Sequence, residues 1–316
     1  MKKLFFILFL VLAAVPAGAE VGAGTASPVP LADPYILYDG GRYYAYGTYS
    51  PDGIVVLVSD DLKSWEWPDS RPGYLALHKD SSYGERWFWA PEVYKKKDGG
   101  YLMYYSADEH ICFAESDSPL GPFVQKEQKP MLAEKGIDNS LFIDEDGTPY
   151  IFWVRFDGGN VVWMAELEDD LKTIKMETMC FCIRMSQLWE QEWPSVNEGP
   201  FVMEHKGKYY LTYSANSYES KLYGVGCAVS DSVNGPWTKY GDNPLLCAPD
   251  GLVGVGHHAF FHDRKGRLKI VFHSHHDSER IHPRIMHIAS AGFRKQKDGA
   301  DRLVIDGNYF TPVIAE

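Results

Sequence analysis

The sequence predicts an all-β fold: a five-bladed β-propeller whose four-stranded antiparallel blades surround a central funnel. Three observations predict it. A glycine turn followed by a strand rich in Tyr and β-branched residues recurs five times along the 316 residues. The turn glycines Gly40, Gly99, Gly147, Gly207 and Gly266 are spaced 59, 48, 60 and 59 residues apart. Helix signals are weak throughout. A period of about 40–60 residues with several short strands per unit is the pattern of propeller blades. A β-sandwich also uses short strands, but it gives no regular long period.

The elements follow in order. Each unit begins with an apolar run and turns at Asp39-Gly40-Gly41, Asp98-Gly99-Gly100, Glu145-Asp146-Gly147, His205-Lys206-Gly207 or Arg264-Lys265-Gly266. Such turns between β-rich runs are hairpin signals. The returning strands open Tyr43-Tyr44-Ala45-Tyr46, Tyr101-Leu102-Met103-Tyr104, Tyr150-Ile151-Phe152-Trp153, Tyr209-Tyr210-Leu211-Thr212 and Leu268-Lys269-Ile270-Val271. A third strand follows, ending in related phrases such as Gly121-Pro122-Phe123 and Gly235-Pro236-Trp237. The stretch from Glu168 to Val196 is the longest connection and is expected to make an excursion over one face. Trp153, on a middle strand, is expected in the core.

Residues 1–19 read as a signal peptide: Lys2 and Lys3, an apolar stretch from Leu4 to Leu12, and the small residues Ala17-Gly18-Ala19. The apolar run is short for a membrane span. Residues 20–316 are then one propeller domain, secreted or periplasmic, with no membrane attachment after cleavage. The formal net charge is −12, and loss of Lys2 and Lys3 makes it two units more negative. That balance argues against nucleic acid or an anionic membrane as partner. Five cysteines follow no zinc spacing, and Cys112 and Cys227 fall in apolar strand-like stretches that suit buried free thiols.

The strand before each turn is the innermost of its blade, and its first residues line the funnel. The spacing places Asp33, Glu92, Asp138, Glu198 and His257 at matching innermost positions. Singly, Asp33 before Pro34 and Asp138 before Asn139-Ser140 could be turn residues. Glu92 could be structural, and His257 a satisfied core histidine. Together, four acids and a histidine converge on one axis, where like charges raise each other's pKa. Perturbed carboxylates in a cleft are what acid–base catalysis needs.

The set Ala32-Asp33-Pro34, Trp89-Ala90-Pro91-Glu92, Ile137-Asp138-Asn139-Ser140, Glu198-Gly199-Pro200, Gly256-His257 and Arg284 resembles glycoside hydrolase family 43 over the whole mature chain. The resemblance implies an inverting mechanism. Asp33 would be the general base, Glu198 the general acid, and Asp138 the residue that tunes and positions Glu198. Trp89, Asn139, His257 and Arg284 would bind substrate, with Trp89 as an apolar wall for a sugar ring. Trp87 and Phe88 could extend that wall, and Arg280 competes with Arg284. No cofactor is required. The resemblance also implies that His257 could face a calcium ion held through water, although no carboxylate-rich calcium loop is present.

The activity implied is removal of terminal α-L-arabinofuranosyl or β-xylosyl residues from plant-type oligosaccharides or polysaccharides. Endo-arabinanase action and a non-catalytic sugar-binding propeller are the alternatives. A fructan-cleaving propeller would carry Asn-Asp-Pro where Ala32 precedes Asp33. The cluster His273, His275 and His276 looks metal-like, but alternation puts only His273 and His275 on one face.

Overall fold

The computed structural model describes residues 26–297 and 299–314, so the predicted signal peptide lies outside the described residues. After β1 (Ser27–Pro28), one sheet is built from β2 (Ala32–Asp39), β3 (Arg42–Ser50), β4 (Gly53–Ser59) and, beyond the short β5 (Ser64–Trp65), β6 (Leu75–His78). The next sheet comprises β7 (Trp89–Lys95), β8 (Tyr101–Ala107) and β9 (His110–Ser116). A third comprises β10 (Gly136–Ile143), β11 (Pro149–Phe156), β12 (Asn160–Glu166) and β13 (Cys180–Ile183). The fourth uses β14 (Asn197–His205), β15 (Lys208–Ala215), β16 (Gly224–Ser230) and β17 (Thr238–Lys239). The fifth uses β18 (Gly256–His262), β19 (Leu268–Ser274), β20 (Ile285–Arg294) and β21 (Arg302–Phe310). Finally β22 (Val313–Ile314) pairs antiparallel with β1 and parallel with β5.

The all-β propeller of antiparallel sheets is as predicted, and the count is corrected. Six sheets form among the described residues, not five, and two of them have three strands. The sixth sheet, β1–β22–β5, joins the two ends of the described chain through two-residue strands, which carry no repeat signature. In the second sheet an isolated bridge between Glu115 and Val124 stands where a fourth strand was expected.

The strands β2, β7, β10, β14 and β18 pack side by side in a closed ring. Each hairpin partner returns outward, so apolar residues alternate into the spaces between sheets. Those spaces are filled by aromatic side chains, including the fully buried Trp65, Trp153, Tyr104, Tyr213 and Phe152. The high Tyr content is thus spent largely between sheets. The predicted excursion supplies β13 and then brings Pro194 and Val196 to the mouth of the ring.

Each ring strand carries one β-bulge at the same place. The ladder breaks between Ala32 and Tyr35, Trp89 and Glu92, Ile137 and Ser140, Glu198 and Phe201, and Gly256 and Ala259. Two residues face one at each break, which bends the strand and re-aims its side chains. The first bulge residue is left-handed in all five: Asp33 (φ 47°), Ala90 (φ 46°), Asp138 (φ 57°), Gly199 (φ 53°) and His257 (φ 42°). Only Gly199 adopts that conformation freely. Four non-glycine residues held there, at roughly 1–3 kcal/mol each, mark a site that the surrounding sheets over-determine.

Candidate active site

The five bulges correct the predicted alignment. Asp33, Asp138 and His257 are equivalent, but their counterparts on β7 and β14 are Ala90 and Gly199, not Glu92 and Glu198. Glu198 stands one position earlier, level with Ala32, Trp89 and Ile137. Glu92 stands two positions later, level with Tyr35 and Ser140. Two rings of side chains result. Ala32, Trp89, Ile137 and Glu198 from one ring, and Asp33, Asp138 and His257 from the next, line a single cavity of about 630 Å³. Small residues at two bulge positions leave the interior to the substrate.

Asp33 is buried and chelated by Arg284, whose Nη1 donates to Oδ1 at 2.7 Å and Nη2 to Oδ2 at 3.3 Å. His257 Nδ1 lies 3.6 Å and His273 Nδ1 3.4 Å from Asp33 Oδ1. Burial alone would raise the Asp33 pKa. The Arg284 guanidinium, with His257 and His273 beside it, overrides burial and holds the carboxyl well below the usual carboxylate range.

Asp138 has the reverse environment. Its Oδ2 accepts a hydrogen bond from the Gly199 amide at 3.0 Å, and among the described residues no basic side chain pairs with it more closely than His257, whose Nδ1 lies at 4.0 Å. Burial, then the Glu198 and Asp33 carboxylates, push its pKa well above the ordinary value. Glu198 accepts from Tyr223 Oη at 2.8 Å and from Asn160 Nδ2 at 2.8 Å. Burial pushes Glu198 up to about 7 against those two hydrogen bonds. The Asp138–Glu198 pair therefore keeps a proton near neutral pH, and the two acids titrate together.

Several predicted residues fall where expected and others do not. Trp89 lines the cavity and stacks on exposed Trp87, with ring centroids 5.6 Å apart; Arg86 covers the Trp87 ring. Phe88 is buried against Tyr105 and is no part of that wall. Asn139 is also a correction. As the second bulge residue it points between sheets, where its Nδ2 donates to the Cys112 carbonyl at 2.9 Å, so it does not reach the cavity. Arg280 pairs with Asp277 on the surface, leaving Arg284 as the buried arginine. The donor set does not fit a protein-held calcium. His257 turns Nδ1 to carboxylates, calcium prefers oxygen ligands, and among the described residues no three His, Cys, Asp or Glu side chains gather into a metal cage. His273 and His275 diverge accordingly: His273 serves Asp33, whereas His275 Nε2 contacts the Tyr218 carbonyl at 2.7 Å.

Sequence reasoning missed Asn160, Tyr223 and His273, which reach the site from second and third strands or the loops before them. Gly256 is the one residue that signals Tyr223. A β-carbon there would lie 2.2 Å from the Tyr223 ring, so the Gly-His phrase makes room for the tyrosine that holds Glu198.

One carboxylate held ionised and a second acid held protonated, facing one cavity beside an aromatic wall, define an acid–base hydrolase site suited to sugars. A family model described as Glycosyl hydrolases family 43 matches residues 26–290. The chain belongs to that family and is a glycoside hydrolase. It is similar to the crystal structure of an endo-1,4-beta-xylanase from Bacteroides thetaiotaomicron VPI-5482: 44% identity, TM-score 0.86, covering 93% of this chain and 100% of that one. A beta-D-galactofuranosidase of Aspergillus niger is 24% identical over 79% of this chain and 76% of its own length. An alpha-L-arabinofuranosidase B of Pyricularia oryzae is 28% identical over 72% of this chain, which spans about half (51%) of that protein.

Proposed function

We propose that the chain is an inverting glycosidase that removes terminal α-L-arabinofuranosyl or β-xylosyl residues from plant-type oligosaccharides or polysaccharides. The opposite ionisation of Asp33 and the Asp138–Glu198 pair within one cavity carries this reading. Ionised Asp33 accepts a proton from water as that water attacks the anomeric carbon. Glu198 gives its proton to the departing glycosidic oxygen. Asp138 keeps that proton available, and Arg284 holds Asp33 in one orientation. Inversion needs the base and acid about 6.5–9.5 Å apart, with water between them. Both proton transfers are made by side chains, so no cofactor enters the step. Trp89 supplies an apolar face for the sugar ring.

The pentose assignment rests on the names of relatives: one is named an alpha-L-arabinofuranosidase and another an endo-1,4-beta-xylanase. Endo action on xylan is the second reading, favoured by the 44% identical relative named endo-1,4-beta-xylanase. The N-terminal Lys2-Lys3 and apolar stretch support export to the periplasm or medium. Aryl arabinofuranoside, xyloside and galactofuranoside substrates, with Glu198→Ala as control, identify the sugar. Products from arabinan and xylan then separate the readings: monosaccharide alone supports exo action, and mixed oligosaccharides support endo action. NMR of the first-formed anomer tests the mechanism, and retention would refute the assigned roles.

A further inference from the structure

The bulges are latched to one another around the ring. In each case the amide of the first bulge residue seeks an acceptor on the preceding sheet. Thr48 Oγ1 accepts from the Ala90 amide at 3.1 Å, and Ser106 Oγ from the Asp138 amide at 2.9 Å. Ser214 Oγ accepts from the His257 amide at 2.8 Å, and His273 Nδ1 from the Asp33 amide at 3.1 Å. These four acceptors hold one structural position. Thr48 pairs with Ala32, Ser106 with Trp89, Ser214 with Glu198 and His273 with Gly256, each just before a bulge. The same position on the third sheet is Val154, which pairs with Ile137 and is fully buried. Valine has no acceptor. The amide that should be latched there, that of Gly199, goes instead to Asp138 Oδ2.

We propose that Val154 is a positioning residue: by withholding the side-chain acceptor found at the matching place in the other four sheets that bear ring strands, it leaves the Gly199 amide to Asp138 and so orients the Asp138 carboxyl against the strand that bears Glu198. A buried amide must find a partner. With an apolar residue at 154, the amide turns to the Asp138 carboxyl instead. The same bond ties Asp138 to the strand that bears Glu198, so the two acids move together. The inference rests on the glycosidase reading for its assay and adds a residue that touches neither substrate nor the reacting atoms.

The test compares Val154→Thr with Val154→Ala. Thr48 shows that a threonine at this position reaches the neighbouring bulge amide. The introduced hydroxyl should capture the Gly199 amide, and Asp138, without its donor, should lose its fixed orientation against the strand that bears Glu198. Relative to Val154→Ala, kcat should fall roughly tenfold, as loss of one positioning hydrogen bond implies. KM should change little, so that the loss falls on kcat. Val154→Ser gives the same comparison with a smaller side chain if the threonine protein does not accumulate. Equal kcat for the hydroxyl and alanine variants would overturn the proposal while leaving the wild-type activity, and hence the glycosidase reading, intact. Absence of wild-type activity on every aryl glycoside would sink that reading instead.

Discussion

Asp33 and Asp138 occupy the same place on their strands and yet are opposites. Both are first bulge residues with left-handed backbone, both are buried, and both donate their amide to a side-chain acceptor on the preceding sheet. The fold treats them alike; their neighbours do not. Asp33 meets Arg284, in the loop just before β20 of the fifth sheet, whereas Asp138 meets Glu198 on the fourth. A symmetric ring delivers like side chains to one point, and single substitutions in adjoining sheets decide which is ionised. Chemistry here lives in departures from the repeat: a valine where an acceptor recurs, a glycine where a side chain recurs, and one arginine.

The largest expected effect comes from breaking the ionised member. Asp33→Asn should lower kcat by roughly 10²–10⁴-fold at every pH, the range for loss of a general base, with the fold retained by circular dichroism. A variant with near-normal turnover would remove Asp33 from the reaction. The matching change on the protonated side should act differently. Because Asp138 is protonated, Asp138→Asn exchanges one neutral group for another, and the basic limb, set near 7 by Glu198, should stay in place. A pH–rate profile checks this, and a basic limb moved to lower pH would show that Asp138 is charged beside Glu198.

Arg284→Gln sharpens the comparison by making the two sites more alike. Without the guanidinium, burial dominates at Asp33, its pKa rises, and the acidic limb of kcat/KM should shift upward by about one unit or more. The smallest effect is expected at Glu92, the acid that the bulges displaced from the cavity. Burial pushes it up to about 8, against hydrogen bonds from Tyr94 and Ser140. Between the ordinary Glu pKa and about 8, the folded state holds a proton that the unfolded state has released, so this group's contribution to stability falls as pH rises. Glu92→Gln cannot titrate and should flatten the dependence of Tm on pH from about 5 to 8. An unchanged slope would mean that Glu92 is not buried in its protonated form.

The ring order was legible because turn glycines and Tyr-rich strands repeat with the period of the sheets. Asp33, Asp138, Glu198, His257, Trp89 and Arg284 do meet in one cavity. The local register was not legible. All five ring strands share the bulge, but the run from it to the turn glycine is seven residues from Asp33, eight from Gly199 and nine from Ala90, Asp138 and His257, so acids at similar spacing looked equivalent when they were not. Glu92 was thus aligned with the site, and Asn139 was placed in the cavity although the bulge turns it between sheets. His273 was read within a histidine cluster because its partner, Asp33, lies 240 residues away. The sixth sheet escaped because strands of two residues carry no periodicity.

The central claim is that equivalent aspartates carry opposite charge states in one cavity. Carbon-13 NMR of side-chain carboxyls tests it most directly, in protein labelled at aspartate Cγ, with Asp33→Asn and Asp138→Asn to assign the two signals. The Asp33 signal should stay at its ionised position down through the ordinary carboxylate range, while the Asp138 signal should still be protonated well above that range. Coincident titration of both near the ordinary aspartate value would contradict the account.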